Sequence, residues 1–303
     1  MSGRFAPSPT GDLHVGNLRT AVVAWLLARS GGRGFIVRME DLDRQQAKTA
    51  IEARQLADLA ALGLDWDGPV VRQSERFGLY DAAIDALTAQ GLVYECYCSR
   101  RDIALEIEAS AVAPHGPPGA YPGTCRVLTV RERSARRAAG RPPALRLRTS
   151  GESIAFDDRL HGRVKGPVDD VVLRRNDGVP AYNLAVVVDD GEQGITEVVR
   201  GDDLLLSTPR QILLQRLLGY SPPDYLHVPL VIGGDGERLA KRHGALTIGE
   251  LADLDHTTAE VRSWIAESLG MAASGEDVTL SELLGRFDPA GIPRSEVFAP
   301  DLR

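Results

Sequence analysis

The stretch Arg4-Phe5-Ala6-Pro7-Ser8-Pro9-Thr10-Gly11-Asp12-Leu13-His14-Val15-Gly16-Asn17 constrains this chain more than any other. It reads as a strand end, a Pro/Ser/Gly loop and a helix start. Residues 18–29 contain no Pro or Gly, Leu18, Val22, Trp25 and Leu26 recur at helical spacing, and Gly31-Gly32 stops the run. Such a loop gathers backbone N–H groups and a positive helix end at one spot, which suits a phosphate. His14 adds a hydrogen-bond donor there, and Gly16 leaves the backbone bare. Alone, the pattern equally describes an ordinary loop with a surface histidine, so a partner motif has to decide.

The 303 residues predict about two domains with ample core, and 43% hydrophobic with 25% charged residues is a globular profile. No apolar run reaches the roughly 18–20 residues that span a bilayer. No signal-peptide pattern precedes Arg4, so cytoplasm is the expected compartment, with no membrane partner. The net charge of −7 neither supports nor forbids RNA, because RNA needs a local basic surface. One local excess exists: eight arginines between Arg126 and Arg148 against Glu132. It reads either as a solvated face or as a contact for phosphates.

After the first helix, Phe35 to Glu40 reads as a buried strand, which predicts a right-handed parallel crossover with a ligand crevice near Arg4–Ser8 and Glu40. Helices are expected over 49–62 and 79–90, and a strand over 92–98. Pro and Gly punctuate 99–145, which reads as an insertion between two halves of a nucleotide-binding domain. Strand-like runs return at 144–148, 170–174, 184–188 and 197–200. Thr208 reads as the cap of a helix to Leu218, with Pro209 at its first position. His227–Ile232 is a candidate final parallel strand, and Val261, Trp264, Ile265 and Leu269 mark a late amphipathic helix.

Arg238, Lys241 and Arg242 place three cations within five residues, a plausible polyphosphate clamp. With the N-terminal loop, this cluster is the partner motif. At this point the chain resembles the class I aminoacyl-tRNA synthetases, and among them the glutamyl branch. His14-Val15-Gly16-Asn17 is similar to the HIGH signature, and Arg238-Leu239-Ala240-Lys241-Arg242 to KMSKS. Arg4–Gly11, Arg38–Asp43, Ala181–Asp190 and Val199–Leu204 resemble stretches specific to the glutamyl branch, in the right order, over residues 3–250.

The resemblance implies an α/β fold: a Rossmann-type, doubly wound parallel sheet with a zinc-containing insertion and a small helical C-terminal subdomain. The expected division is a first half-core over 1–95, the insertion over 96–145, a second half-core over 146–235, and the KMSKS-type loop with helices over 236–303. It further implies that glutamate is joined to AMP with release of pyrophosphate, then passed to RNA. The residue types suit that chemistry. Arg4 and Arg200 bind carboxylates, Glu40 the ammonium, and Tyr182 completes the cup, with Phe5, Ala6, Pro7 and Ser8 along its wall. His14, Gly16, Asn17, Arg238 and Lys241 fall to ATP, with His14, Gly16 and Lys241 as the catalytic set. Mg²⁺ accompanies ATP, although no carboxylate pair announces a dedicated site. Asn17 replaces the second His of HIGH, Arg238 the first Lys of KMSKS, and Ala240 its Ser. The lost hydroxyl removes one phosphate contact, about 1 kcal/mol net.

Cys96, Cys98 and Cys125 are the three cysteines. Three thiolates leave a tetrahedral zinc site incomplete, with His115 an open candidate for the fourth ligand. The short glutamyl-like synthetases use a tyrosine there, which the resemblance maps onto Tyr121, holding a structural zinc. About 60 residues follow Lys241, too few for an anticodon-binding region. The resemblance therefore narrows to stand-alone catalytic halves, expected as monomers. These activate glutamate without RNA and esterify it to queuosine in the anticodon loop of tRNA(Asp). A truncated enzyme charging the 3′ end of tRNA(Glu), or a non-catalytic RNA-binding paralogue, are the alternatives.

Overall fold

The computed structural model describes residues 1–43, 46–109, 121–233, 236, 239 and 246–300, with backbone alone at 106–109. Strand β1 (Ser2–Phe5) runs into the Pro/Gly loop, helix α1 (Val15–Ser30) crosses over, and β2 (Gly34–Met39) returns parallel to β1. Helix α2 (Thr49–Ala61) leads to the short parallel strand β3 (Val71–Arg72). The chain then leaves the sheet through α3 (Phe77–Ala89), β4 (Val93–Cys96), α4 (Arg100–Ala109), α5 (Val130–Ala138) and β5 (Ala144–Leu147). It continues as the hairpin β6 (Ser153–Asp158) and β7 (Gly162–Pro167), then β8 (Val172–Arg174) and α6 (Tyr182–Glu192). Strand β9 (Ile195–Gly201), helix α7 (Thr208–Leu218) and β10 (Asp224–Val228) complete the main sheet. Its order is β3-β2-β1-β9-β10-β6-β7, parallel except for β7.

The order reverses between β1 and β9, so the loops leaving Phe5 and Gly201 diverge. A crevice opens at the carboxyl ends of those two strands, where ligands of such sheets bind. One apolar layer joins α1 to α8 (Ile248–Ala252), α9 (Thr258–Ser268) and α10 (Leu280–Arg286). The other joins α3, α6 and α7. Helices α5, α8, α9 and α10 each open with Thr capping and Glu three residues on, as at Thr257 and Glu260. Each cap contributes about 1 kcal/mol. Among the described residues no helix is long and apolar enough to cross a membrane.

Several sequence expectations shift. Residues 184–188 are helical, inside α6, with Leu184, Ala185, Val186, Val187 and Val188 all buried. A short apolar run fits a buried helix as well as a strand, and burial overrides the β-branched preference here. Strands β5 and β8 exist, but they pair antiparallel with β4 in a separate three-stranded sheet. The stretch 227–232 splits at Pro229: β10 ends at Val228, and β11 (Val231–Ile232) pairs with β12 (Val297–Phe298). The β6–β7 hairpin has no counterpart in the sequence reading.

Candidate active site

The loop after β1 is held by neighbours rather than by its own structure. The Gln55 side-chain amide donates to the carbonyls of Ser8 and Gly11 at 3.0 and 2.7 Å, and the Glu40 backbone N–H to Pro7 at 2.8 Å. Below it lies a cavity of about 590 Å³. Its wall runs from Arg4 through Ser8, over Glu40, Tyr182 and Arg200, to His14, Gly16 and Asn17. The structure thus brings both described groups of expected residues to one crevice. Phe5 and Pro7 are buried, whereas Ser8 is exposed.

At one end, His14 caps α1 with its ring. Nδ1 accepts from the N–H groups of Gly16 and Asn17 at 3.1 and 3.3 Å, while the Asn17 side-chain oxygen accepts from the His14 N–H at 3.2 Å. With Nδ1 accepting, the ring proton sits on Nε2, a donor suited to a phosphate oxygen. A Cβ on Gly16 would lie 3.0 Å from the His14 ring atoms Cε1 and Nδ1. Gly16 therefore first makes room for the histidine itself.

At the other end stand the residues expected to form the amino-acid cup. Arg4 donates to Asp190 at 3.3 Å and to the Val199 carbonyl at 3.2 Å. Arg38, on β2, approaches the same Asp190 carboxylate at 2.9 Å, Glu40 at 3.6 Å and Asp189 at 3.7 Å. Asp189 is held in turn by Arg76, Gln73 and Tyr80 at 2.6, 2.8 and 2.9 Å. Burial raises the Asp190 carboxyl, but Arg4 and Arg38 outweigh it and hold it below the usual range. Glu40 is pushed up to about 7 by burial, against the pull of Arg38 and Arg4.

Arg200, 6% exposed at the end of β9, is built differently. It donates to His227 Nε2 at 3.0 Å, Gln211 at 2.7 Å and Thr208 at 2.7 Å, all uncharged acceptors. Because an arginine only donates, Nε2 of His227 is unprotonated, and its Nδ1–H donates to Asp158 at 2.7 Å. Burial lowers the His227 value, Asp158 opposes it, and Arg200 adds to the lowering. Among the described residues Arg200 has no carboxylate partner. Tyr182, at the start of α6, is 37% exposed and its hydroxyl has no hydrogen-bond partner among the described residues.

The sequence reading missed this support. The sequence pattern puts Thr208 at the cap of α7, but Ser207 is the cap and the Thr208 hydroxyl serves Arg200. Gln211, His227 and Asp158 carry no local signal, since they sit on α7, β10 and the unanticipated β6. Gln55 likewise reads only as a helix residue.

The cysteines converge at the edge of the three-stranded sheet. The Cys96, Cys98 and Cys125 sulfurs lie within 4.8 Å of one another, and Cys98 and Cys125 approach to 3.4 Å. Gly123, at φ +89°, turns the chain into the short helical turn carrying Cys125. The Tyr121 oxygen lies 3.6 Å from Cys98 Sγ and accepts from the Cys125 N–H at 2.8 Å, with the Arg146 guanidinium 3.8 Å over its ring. Tetrahedral zinc with bonds of about 2.3 Å sets its sulfurs about 3.8 Å apart. The donor set and spacing therefore fit that ion. Arg238, Lys241 and His115 lie outside the described residues, as do Ala240 and Arg242.

Residues 1–284 match the family model of class I tRNA synthetases (E and Q), catalytic domain. The chain is 58% identical over 293 residues to the glutamyl-Q tRNA(Asp) synthetase of Nocardia farcinica, covering 97% of this chain and 91% of that protein. It is 43% identical over 311 residues to glutamate–tRNA ligase 1 of Halorhodospira halophila, covering 98% of this chain and 65% of that longer protein. A crystal structure of a glutamate tRNA ligase from Elizabethkingia meningosepticum, in complex with its amino acid, superposes with a TM-score of 0.81 at 26% identity. That match covers 98% of this chain and 66% of the other. The chain belongs to the class I tRNA synthetases for glutamate and glutamine, and within them to the glutamyl-Q tRNA(Asp) synthetase family.

Proposed function

We propose that this protein joins L-glutamate to AMP at the expense of ATP, without RNA, and then transfers the glutamyl group to queuosine in the anticodon loop of tRNA(Asp). The observation that carries the reading is Arg200: a buried guanidinium on uncharged supports, facing the cavity that ends at the His14 cap. A buried charge needs a partner, and a side-chain carboxylate supplies one. Glu40 then takes the ammonium, and Tyr182 offers its hydroxyl beside it.

In the first step a glutamate α-carboxylate oxygen attacks the α-phosphorus of ATP, and pyrophosphate leaves with the electron pair of the broken P–O bond. His14 Nε2–H steadies phosphate oxygens as charge develops, and Asn17 with the open backbone at Gly16 supports the nucleotide. Arg238 and Lys241 are proposed to clamp the outer phosphates, and Mg²⁺ arrives with ATP. Cys96, Cys98, Cys125 and Tyr121 would hold a zinc ion that fastens the insertion to its sheet. Such a reaction belongs in the cytoplasm, where ATP and tRNA meet.

The test is glutamate-dependent ATP–pyrophosphate exchange without RNA, followed by labelled transfer to queuosine-containing tRNA(Asp), unmodified tRNA(Asp) and tRNA(Glu). Absence of exchange overturns the enzyme reading. Exchange with charging of tRNA(Glu) alone overturns the queuosine reading. For zinc, metal content should fall in Tyr121→Phe; retention there with loss in His115→Ala would transfer the fourth ligand to His115.

A further inference from the structure

A second cavity, of about 610 Å³, opens against the first. The two share Ser8, Glu40 and Tyr182, three residues of the proposed amino-acid cup. From there the first runs to His14 and the nucleotide end, whereas the second runs the other way, toward the cysteine cluster at Cys98 and Ser99. We infer that the second cavity is the acceptor site: it takes an unstacked nucleoside bearing a vicinal diol, with cationic residues at its rim holding the flanking phosphates. The inference rests on the function proposed above.

Three observations carry it. The first is position. After activation, AMP occupies the His14 side of the glutamyl carbonyl, so an attacking hydroxyl needs another route, and this cavity reaches the same shared residues. The diol oxygen attacks the carbonyl carbon and a C–O ester bond forms. The bond from that carbon to the phosphate oxygen breaks, AMP leaves with its electron pair, and the hydroxyl proton passes to the departing phosphate.

The second is unspent hydrogen-bonding capacity. Gln73, fully buried, and Arg146, 8% exposed, both line the cavity. Gln73 Oε1 and Arg146 Nε have no hydrogen-bond partner among the described residues. One acceptor and one donor in the same wall suit the edge of a base, and buried polar atoms normally find a hydrogen-bond partner in protein, water or ligand.

The third is charge. Arg100, Arg141 and Arg175 stand at the wall, and the arginines are suited to phosphate. Asp43 stands among them, 3.9 Å from Arg175 and accepting from Gln46 at 3.1 Å. The linkage between the diol ring and the 7-deazaguanine of queuosine contains a secondary amine that is cationic at neutral pH. A carboxylate lining the same cavity as Glu40 and Tyr182 matches that amine, whereas a plain 3′-terminal adenosine, which also offers a vicinal diol, has no such charge.

Arg175→Ala and Asp43→Asn, with Arg175→Lys as the conservative control, test the assignment. The exchange reaction without RNA reports an intact fold and first step. The expected result is exchange within about twofold of the parent. Transfer to a queuosine-containing tRNA(Asp) anticodon stem–loop should fall about tenfold or more through KM, with partial recovery in Arg175→Lys. Unchanged transfer in both variants, with exchange intact, overturns this inference alone. Absence of exchange in the parent overturns it together with the proposed function. Charging of tRNA(Glu) at its 3′ end with equal efficiency overturns the role of Asp43.

Discussion

Arg4 and Arg200 look alike in the sequence, yet the fold uses them differently. Arg4 shares Asp190 with Arg38, so its charge is already answered inside the protein. Arg200 rests on His227, Gln211 and Thr208, and no carboxylate among the described residues touches it. Both are buried, so exposure does not separate them; the chemistry of their partners does. In the proposed reading the first arginine builds the cup and the second recognises what enters it.

Four substitutions would break or sharpen this contrast. The largest effect is expected for Arg4→Met, which leaves Asp190 buried with one counter-ion fewer. Breaking such a pair costs about 3–5 kcal/mol, read by denaturant unfolding. Arg200→Lys should keep most of the stability but lose roughly a hundredfold in kcat/KM for glutamate in the exchange assay, because the fork that meets a carboxylate is gone. If Arg200→Lys unfolds more easily than Arg4→Met, the division of labour is wrong. Glu40→Gln tests the third wall. Its folded value of about 7 exceeds the unfolded value of 4.5, so its stabilising contribution is present below pH 4.5 and is lost as pH rises through 7. The variant should therefore be more stable than the parent at pH 8, by at most about 3 kcal/mol. In the parent, KM for glutamate should rise as pH falls below about 7, as Glu40 gains a proton and loses its hold on the ammonium. A flat KM profile would remove Glu40 from the cup. The smallest effect belongs to Thr208→Ala, which withdraws one acceptor from Arg200 and should raise KM for glutamate about fivefold, near 1 kcal/mol.

The parts of the site that were legible are those carried by contiguous stretches. His14 with Gly16, Arg4 with its loop, and Glu40 at the end of β2 each announce themselves within a few residues. Arg200 was legible as well, but its supports were not, because His227, Thr208 and Asp158 come from three elements that only the folded sheet brings together. The same limit explains β5 and β8: a strand pattern states which segment is extended, not which neighbour it pairs with. Residues 184–188 failed for a different reason, since five consecutive buried apolar residues carry no period to read. The cysteine spacing was readable, and the convergence of Tyr121 on it depends on the turn at Gly123.

Arg4, Arg38 and Arg76 face Glu40, Asp189 and Asp190, so with Glu40 ionised this cluster is electrically balanced before any ligand arrives. Arg200 stands outside that balance: its nearest carboxylate, Asp158, reaches it only through the neutral His227 ring, so no counter-charge touches the guanidinium directly. In the proposed reading the side-chain carboxylate of glutamate supplies that direct contact, whereas the uncharged amide of glutamine does not. Selection between these near-isosteric amino acids would then rest on the charge at one contact rather than on shape.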